Sequence, residues 1–105
     1  MGYAKERVKF EKLAEKVGGL TYYDEKSLVI ITDVFDQYSH TIRILKNKKP
    51  ELFTEQYKNE LEQAKLLKRT LKVSEEADRQ DNFVKYRDSL LAALNTAIAT
   101  LKEMV

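Results

Sequence analysis

The sequence predicts an all-α protein, an antiparallel up-down bundle of four helices of which the first is short. Two observations indicate this fold class. Three glycines and one proline in 105 residues leave little room for a turn-rich β fold. Apolar residues also recur at spacings of three and four along most of the chain, as amphipathic helices require. We expect a single helical-bundle domain over residues 1–105.

The first helix is expected from Tyr3 to Val17. The glycine pair Gly18-Gly19 should end it, because glycine adopts the left-handed conformation at a helix C-terminus without steric cost. Leu20 would then supply the apolar contact that closes the helix end.

The second helix is expected to run from an N-cap at Thr21 to about Asn47, with Asp24 completing a capping box. Its apolar seam has the spacing of an antiparallel bundle and consists of Leu28, Ile31, Phe35, Tyr38, Ile42 and Leu45. The run 28–31 is apolar and mostly β-branched, which also suits a strand. A hairpin over residues 20–32 followed by three helices is therefore the alternative fold.

Pro50 suits the first turn of a third helix, which should extend to about Lys72. Ser74 is predicted to be the N-cap of the fourth helix. The acidic residues of segment 75–78 would then lie in its first turn, where negative charge complements the helix dipole.

Two opposite charges interrupt the apolar faces of the third and fourth helices, Glu60 on one and Arg87 on the other. A hairpin that turns near Ser74 places them opposite each other, and a turn near Lys49 brings Tyr38 beside Glu60. We predict that Glu60, Arg87 and Tyr38 form a buried polar layer that fixes the packing register. Two other interpretations stay open: the charges extend to solvent along their apolar stems, or the layer is a pocket for a ligand or partner.

The side-chain inventory gives little support to catalysis. His40 is the only histidine, the chain has no cysteine, and no serine can be assigned as an activated nucleophile. The acidic run 75–78 with Asp81 lacks the ligand spacing of an EF-hand loop, and no glycine-rich phosphate loop is present. We therefore predict no enzyme activity, no cofactor and no metal site.

The net charge and the apolar runs restrict the partners and the compartment. A formal net charge of +2 implies no global attraction to nucleic acid or to anionic membranes. No apolar run approaches the roughly 18 residues of a spanning helix, so no membrane partner is expected. The lack of cysteine and of an apolar leader segment predicts a cytoplasmic protein.

The outer face of the third helix carries a basic stripe, made of Lys58, Lys65, Lys68, Arg69 and Lys72. Cations at this spacing can follow a phosphate backbone, which gives a salt-sensitive affinity without sequence preference. Glu51, Glu55 and Glu62 border the stripe. Nucleic-acid binding is therefore the second functional interpretation. The alternative is that the stripe is a charged surface exposed to water, without a binding role.

Four apolar residues project away from the seams or lie at the C-terminus, namely Val8, Leu66, Met104 and Val105. With the broad apolar face of the fourth helix, they predict a surface for a protein partner or for a homodimer. The leading functional interpretation is a non-catalytic protein–protein interaction module, such as an adaptor, inhibitor or chaperone-like factor, acting through helices one and four. By fold-level analogy alone, an immunity-type or phage-encoded inhibitor is a third interpretation.

Overall fold

The structure is a computed structural model that describes residues 3–103. Its elements, in chain order, are α1 (Ala4–Gly18), α2 (Glu25–Lys48), α3 (Pro50–Lys72), a 3₁₀ turn (Glu76–Asp78) and α4 (Arg79–Glu103). No strand occurs in this part of the chain, so the predicted all-α class is confirmed. The alternative hairpin over residues 20–32 is wrong, because α2 begins at Glu25 and includes the β-branched run.

The helices pack as an antiparallel bundle in which each contacts its neighbours in the chain and α1 also contacts α4. Between residues 3 and 103, α1 and α3 make no contact, so they occupy diagonal corners of the bundle. By contrast, α4 packs against α1 and α3 and reaches across the bundle to α2. The unusually broad apolar face of α4 is therefore buried in the core.

Aromatic rings join the elements at the centre of the bundle. The ring centroids of Phe10 and Tyr38 lie 5.8 Å apart and connect α1 to α2. Those of Phe35 and Tyr86 lie 6.2 Å apart and connect α2 to α4. Full burial of an aromatic side chain contributes about 1.5–3 kcal/mol, so these four rings together contribute several kcal/mol to the packing.

The connection between α1 and α2 differs from the prediction. Gly19 follows α1 with a φ of −84°, so the predicted left-handed conformation is not adopted. Asp24 is the N-cap of α2, and its Oδ1 accepts a hydrogen bond of 2.7 Å from the Ser27 amide. The predicted N-cap at Thr21 is wrong, because Thr21 lies in the irregular connection before α2, where its carbonyl accepts a hydrogen bond from Gln80 of α4. Leu20 is buried, as the prediction required.

The turn between α3 and α4 is longer than predicted. Ser74 does not cap α4; its hydroxyl donates to the Thr70 carbonyl (2.6 Å) and accepts from Asn82 Nδ2 (2.6 Å). The 3₁₀ turn follows, and α4 begins at Arg79. This insertion displaces the midpoint of the hairpin toward Asp78, which changes the residues that face each other across it.

Candidate interaction surface

Glu60 and Arg87 do not form the predicted ion pair. Arg87 Nη1 donates to the Leu20 carbonyl (2.8 Å), and its Nη2 lies 2.9 Å from the carboxylate of Asp88. Glu60 is half-buried and makes no ion pair or side-chain hydrogen bond within residues 3–103. The predicted pairing of Glu60 with Arg87 is therefore wrong. Both side chains are half-buried, so their charges can reach solvent, as one of the alternatives expected.

The lengthened turn explains the error. Gln56 of α3 donates from Nε2 to the hydroxyl of Thr100 on α4 over 2.8 Å. Asp78 lies midway between these two residues in the sequence, four residues beyond the assumed turn at Ser74. Arg87 therefore lies closer to the turn than Glu60 does. The two side chains are at different heights along the α3–α4 hairpin and do not face each other.

Tyr38 is fully buried in α2, and Glu60 is close enough to act on it electrostatically. Burial raises the pKa of the Tyr38 phenol well above its usual value, and the Glu60 carboxylate raises it further. Burial has the same effect on the pKa of Tyr86, with a further contribution from Asp36. Both phenols therefore stay protonated through neutral pH, where neither can serve as a general base.

Within residues 3–103, the histidine and carboxylate side chains form no cluster suited to a metal ion. His40 is exposed, and no hydrogen bond joins it to Asp36 in the described part of the chain.

The basic stripe of α3 is partly engaged with neighbouring side chains. Lys65 Nζ lies 3.6 Å from a Glu62 carboxylate oxygen, and Lys68 Nζ lies 4.6 Å from the centroid of the Phe35 ring. Such contacts lower the charge available to a phosphate backbone. The other three residues of the stripe are exposed: Lys58, Arg69 and Lys72.

The predicted partner residues do not form one surface. Val8 and Leu66 are exposed, with 40% and 49% of their surface accessible. They lie on α1 and α3, the two helices that do not touch. The other two, Met104 and Val105, lie outside the described residues. Within Arg79–Glu103 no large apolar side chain is fully exposed, so α4 does not present the apolar face that the sequence suggested.

The structure instead exposes an apolar patch at the beginning of α2. Val29 points away from the core with 70% of its surface accessible, and Leu28 and Ile30 beside it are half-buried. One groove beside Val29 is lined by Lys16, Val29, Ile30 and Asp33. A second groove, on the other side, is lined by Leu28, Val29, Thr32, Asp33 and Asp36.

This patch is uncovered because Val29 lies on the outer side of α2, opposite the buried residues Ile31 and Val34. Lys16, near the end of α1, borders only one edge of the patch. The chain then crosses to α4, where the Leu20 carbonyl meets Arg87. The sequence carried a signal for this exposure: residues 28–31 are apolar on all sides, although a bundle needs only one apolar face.

No described helix combines the length and the apolar character of a membrane span. In comparisons with protein-family models, curated proteins and solved structures, no match to this chain was found. Function is therefore inferred from the chemistry of the chain's own surface.

Proposed function

We propose that this chain is a non-catalytic, cytoplasmic protein-interaction module that binds another protein, or a second copy of itself, through the N-terminal half of α2. The observation that carries this proposal is the 70% exposure of Val29 between two half-buried apolar neighbours. A single exposed valine is ordinary on a protein surface. Three consecutive apolar residues bounded by two grooves form a contiguous patch, and such patches mark interaction sites.

The helix itself does not require a valine at position 29. An exposed helical position is stabilised more by lysine, glutamate or alanine, and valine costs about 0.5 kcal/mol relative to the best helix formers. The exposed valine therefore contributes little to folding. Its apolar surface gains free energy only when a partner covers it.

Charged residues flank the patch and favour a protein partner over a membrane surface. Lys16 and Asp33 border one groove, and Asp33 and Asp36 border the other. A mixed rim of this kind matches the usual anatomy of a protein–protein interface, with an apolar centre and polar edges. Carboxylates at the rim also oppose binding to anionic lipid.

The test compares Val29→Lys with Val73→Lys as bait in a nuclease-treated lysate of the native host. Val73 is a matched control, because it is also an exposed valine, with 82% of its surface accessible, but lies outside the patch. Lysine is a better helix former than valine, so the helical content of the Val29 variant should persist.

We expect the wild type and Val73→Lys to retain the same protein, which is either a host protein or an untagged second copy. Val29→Lys should lose it. Equal retention by both variants would contradict the proposal, since the bound protein would then contact another surface.

Nucleic-acid binding is a second candidate, favoured by the exposure of Lys58, Arg69 and Lys72 on α3. Affinity for a nucleic acid should then fall steeply with salt, and Arg69→Glu combined with Lys72→Glu should abolish it. An unchanged affinity in that double variant would exclude the α3 stripe as the binding surface.

A further inference from the structure

We propose that the partner of this patch is a second copy of the chain, packed against α2 in an antiparallel, two-fold arrangement. This inference rests on the proposed function and names the occupant of the same surface. The contact is made by four residues of α2, which we call the α2 stripe: Lys26, Val29, Ile30 and Asp33. They are spaced at i, i+3, i+4 and i+7 and therefore lie along one side of the helix.

The α2 stripe is symmetric about its centre: two apolar residues lie in the middle and one charged residue lies at each end. The two end charges have opposite signs. Lys26 precedes Val29 by three residues, and Asp33 follows Ile30 by three residues. A two-fold axis between Val29 and Ile30 therefore brings each Lys26 to the partner's Asp33. It also brings each Val29 to the partner's Ile30. In a two-fold interface every contact occurs twice, so one copy of the stripe supplies two ion pairs and a double apolar contact.

The charges of the stripe have no ionic partner within residues 3–103. Lys26 is exposed and makes no ion pair there. Asp33 accepts one hydrogen bond, from Gln37 Nε2 to Oδ2 over 2.7 Å, which leaves its Oδ1 available. The apolar pair between them is accessible, because Val29 is exposed and Ile30 is half-buried. All four side chains can therefore meet a second copy without rearrangement of the bundle.

The charge order also excludes the competing arrangement. A parallel pairing of two α2 helices would place Lys26 against Lys26 and Asp33 against Asp33. Like charges in contact destabilise a helix pair, so the stripe specifies the antiparallel orientation. Four residues on each side form a small interface, well below the roughly 800 Å² that each partner contributes to a standard one. We therefore expect a dimer that dissociates on dilution.

The experiment is sedimentation velocity over a concentration series, with two charge reversals, Lys26→Glu and Asp33→Lys. Lys26→Glu puts a negative charge in the first turn of α2, where the helix dipole favours it. Asp33→Lys introduces a better helix former. Neither change should disturb folding, and circular dichroism checks this. Lys85→Glu, at an exposed position on α4, is the charge-reversal control.

We expect the wild type and Lys85→Glu to dimerise with rising concentration. Each stripe variant alone should dimerise at least about tenfold more weakly, because two attractive pairs become two repulsive ones. An equimolar mixture of the two variants should recover the dimer, since both contacts across the two-fold axis are then complementary. Val29→Lys should remain monomeric.

A wild type that stays monomeric, or a mixture that behaves like the separate variants, would overturn the inference. The proposed function is judged separately. If the wild type is monomeric but Val29→Lys still loses a host protein from the lysate, the patch binds a different partner and the proposed function stands. If that capture is also unaffected, both proposals fail.

Discussion

Arg87 donates a hydrogen bond from Nη1 to the backbone carbonyl of Leu20 over 2.8 Å, and this bond holds the α1–α2 connection against α4. Gln80, two turns earlier in α4, acts on the same connection. Its Oε1 accepts from the Tyr23 amide (2.8 Å), and its Nε2 donates to the Thr21 carbonyl (2.9 Å). Polar side chains of α4 thus satisfy the backbone of a segment that has no secondary structure of its own.

The separation of Glu60 from Arg87 predicts that their effects on stability are additive. Arg87→Met should lower the free energy of unfolding by about 1–2 kcal/mol, because the Leu20 carbonyl loses a charged donor. The loss in the double variant that also carries Glu60→Gln should differ from the sum of the two single losses by less than about 0.5 kcal/mol. Urea denaturation of the two single variants and the double variant measures the coupling. A buried ion pair would instead give a coupling well above that value.

Removal of the Gln80 side chain should release the connection locally. In Gln80→Ala the Tyr23 amide loses the acceptor that Gln80 provides, so its hydrogen exchange should accelerate by about tenfold, as a loss of about 1.4 kcal/mol implies. Gln63→Ala, at an exposed position on α3, is the matched control and should leave Tyr23 exchange unchanged. Equal exchange rates in both variants would show that Gln80 does not hold this segment.

The general architecture was predictable because it depends on apolar periodicity. The seam from Leu28 to Leu45 has the spacing of a bundle helix, and the structure buries most of it. Pro50 marks the first residue of α3, as its fixed φ angle and missing amide favour. These signals are local, so one sequence suffices to read them.

The predicted polar layer could not be derived from such local signals, because the residues that face each other across the hairpin depend on the length of the turn. Ser74 has the side chain of an N-cap, but Thr70 and Asn82 engage it instead. The resulting shift of the hairpin separates Glu60 from Arg87. The exposure of Val29, by contrast, agrees with the periodicity, because Val29 lies outside the predicted seam of α2.

The buried phenols predict a loss of stability at high pH. The folded state holds the pKa of Tyr38 and Tyr86 above the value near 10 that the unfolded chain has, mainly through burial. Their contribution to stability is therefore complete below pH 10 and is lost as the pH rises above it. The free energy of unfolding should fall by up to about 1.4 kcal/mol per pH unit for each phenol.

Tyrosine-to-phenylalanine variants isolate this effect. No described group accepts a hydrogen bond from the Tyr38 or Tyr86 hydroxyl, so either substitution should leave stability at pH 7 unchanged or raise it. Urea denaturation between pH 8 and 11 should show a shallower decline in each variant. Tyr22→Phe, at a position with 69% exposure, should decline like the wild type. Identical slopes in all four proteins would refute the assignment.

Gly18 offers a stabilising substitution. It is the last residue of α1, and a Cβ atom there would lie 3.9 Å from Leu91 Cδ2, an ordinary van der Waals distance. Since no described glycine has a positive φ, alanine fits the backbone. Gly18→Ala should raise the free energy of unfolding by about 0.5–1 kcal/mol, mainly by restricting the unfolded chain. A lower melting temperature would mean that Leu91 cannot accommodate the methyl group.

The most direct test of the α2 stripe as a self-association surface is a concentration series of ¹H–¹⁵N correlation spectra of the wild type. Amide resonances between Lys26 and Asp33 should shift progressively with concentration, while those of Val8 and Leu66 stay in place. Constant resonances throughout residues 26–33, or shifts centred on α1 or α3, would contradict the account.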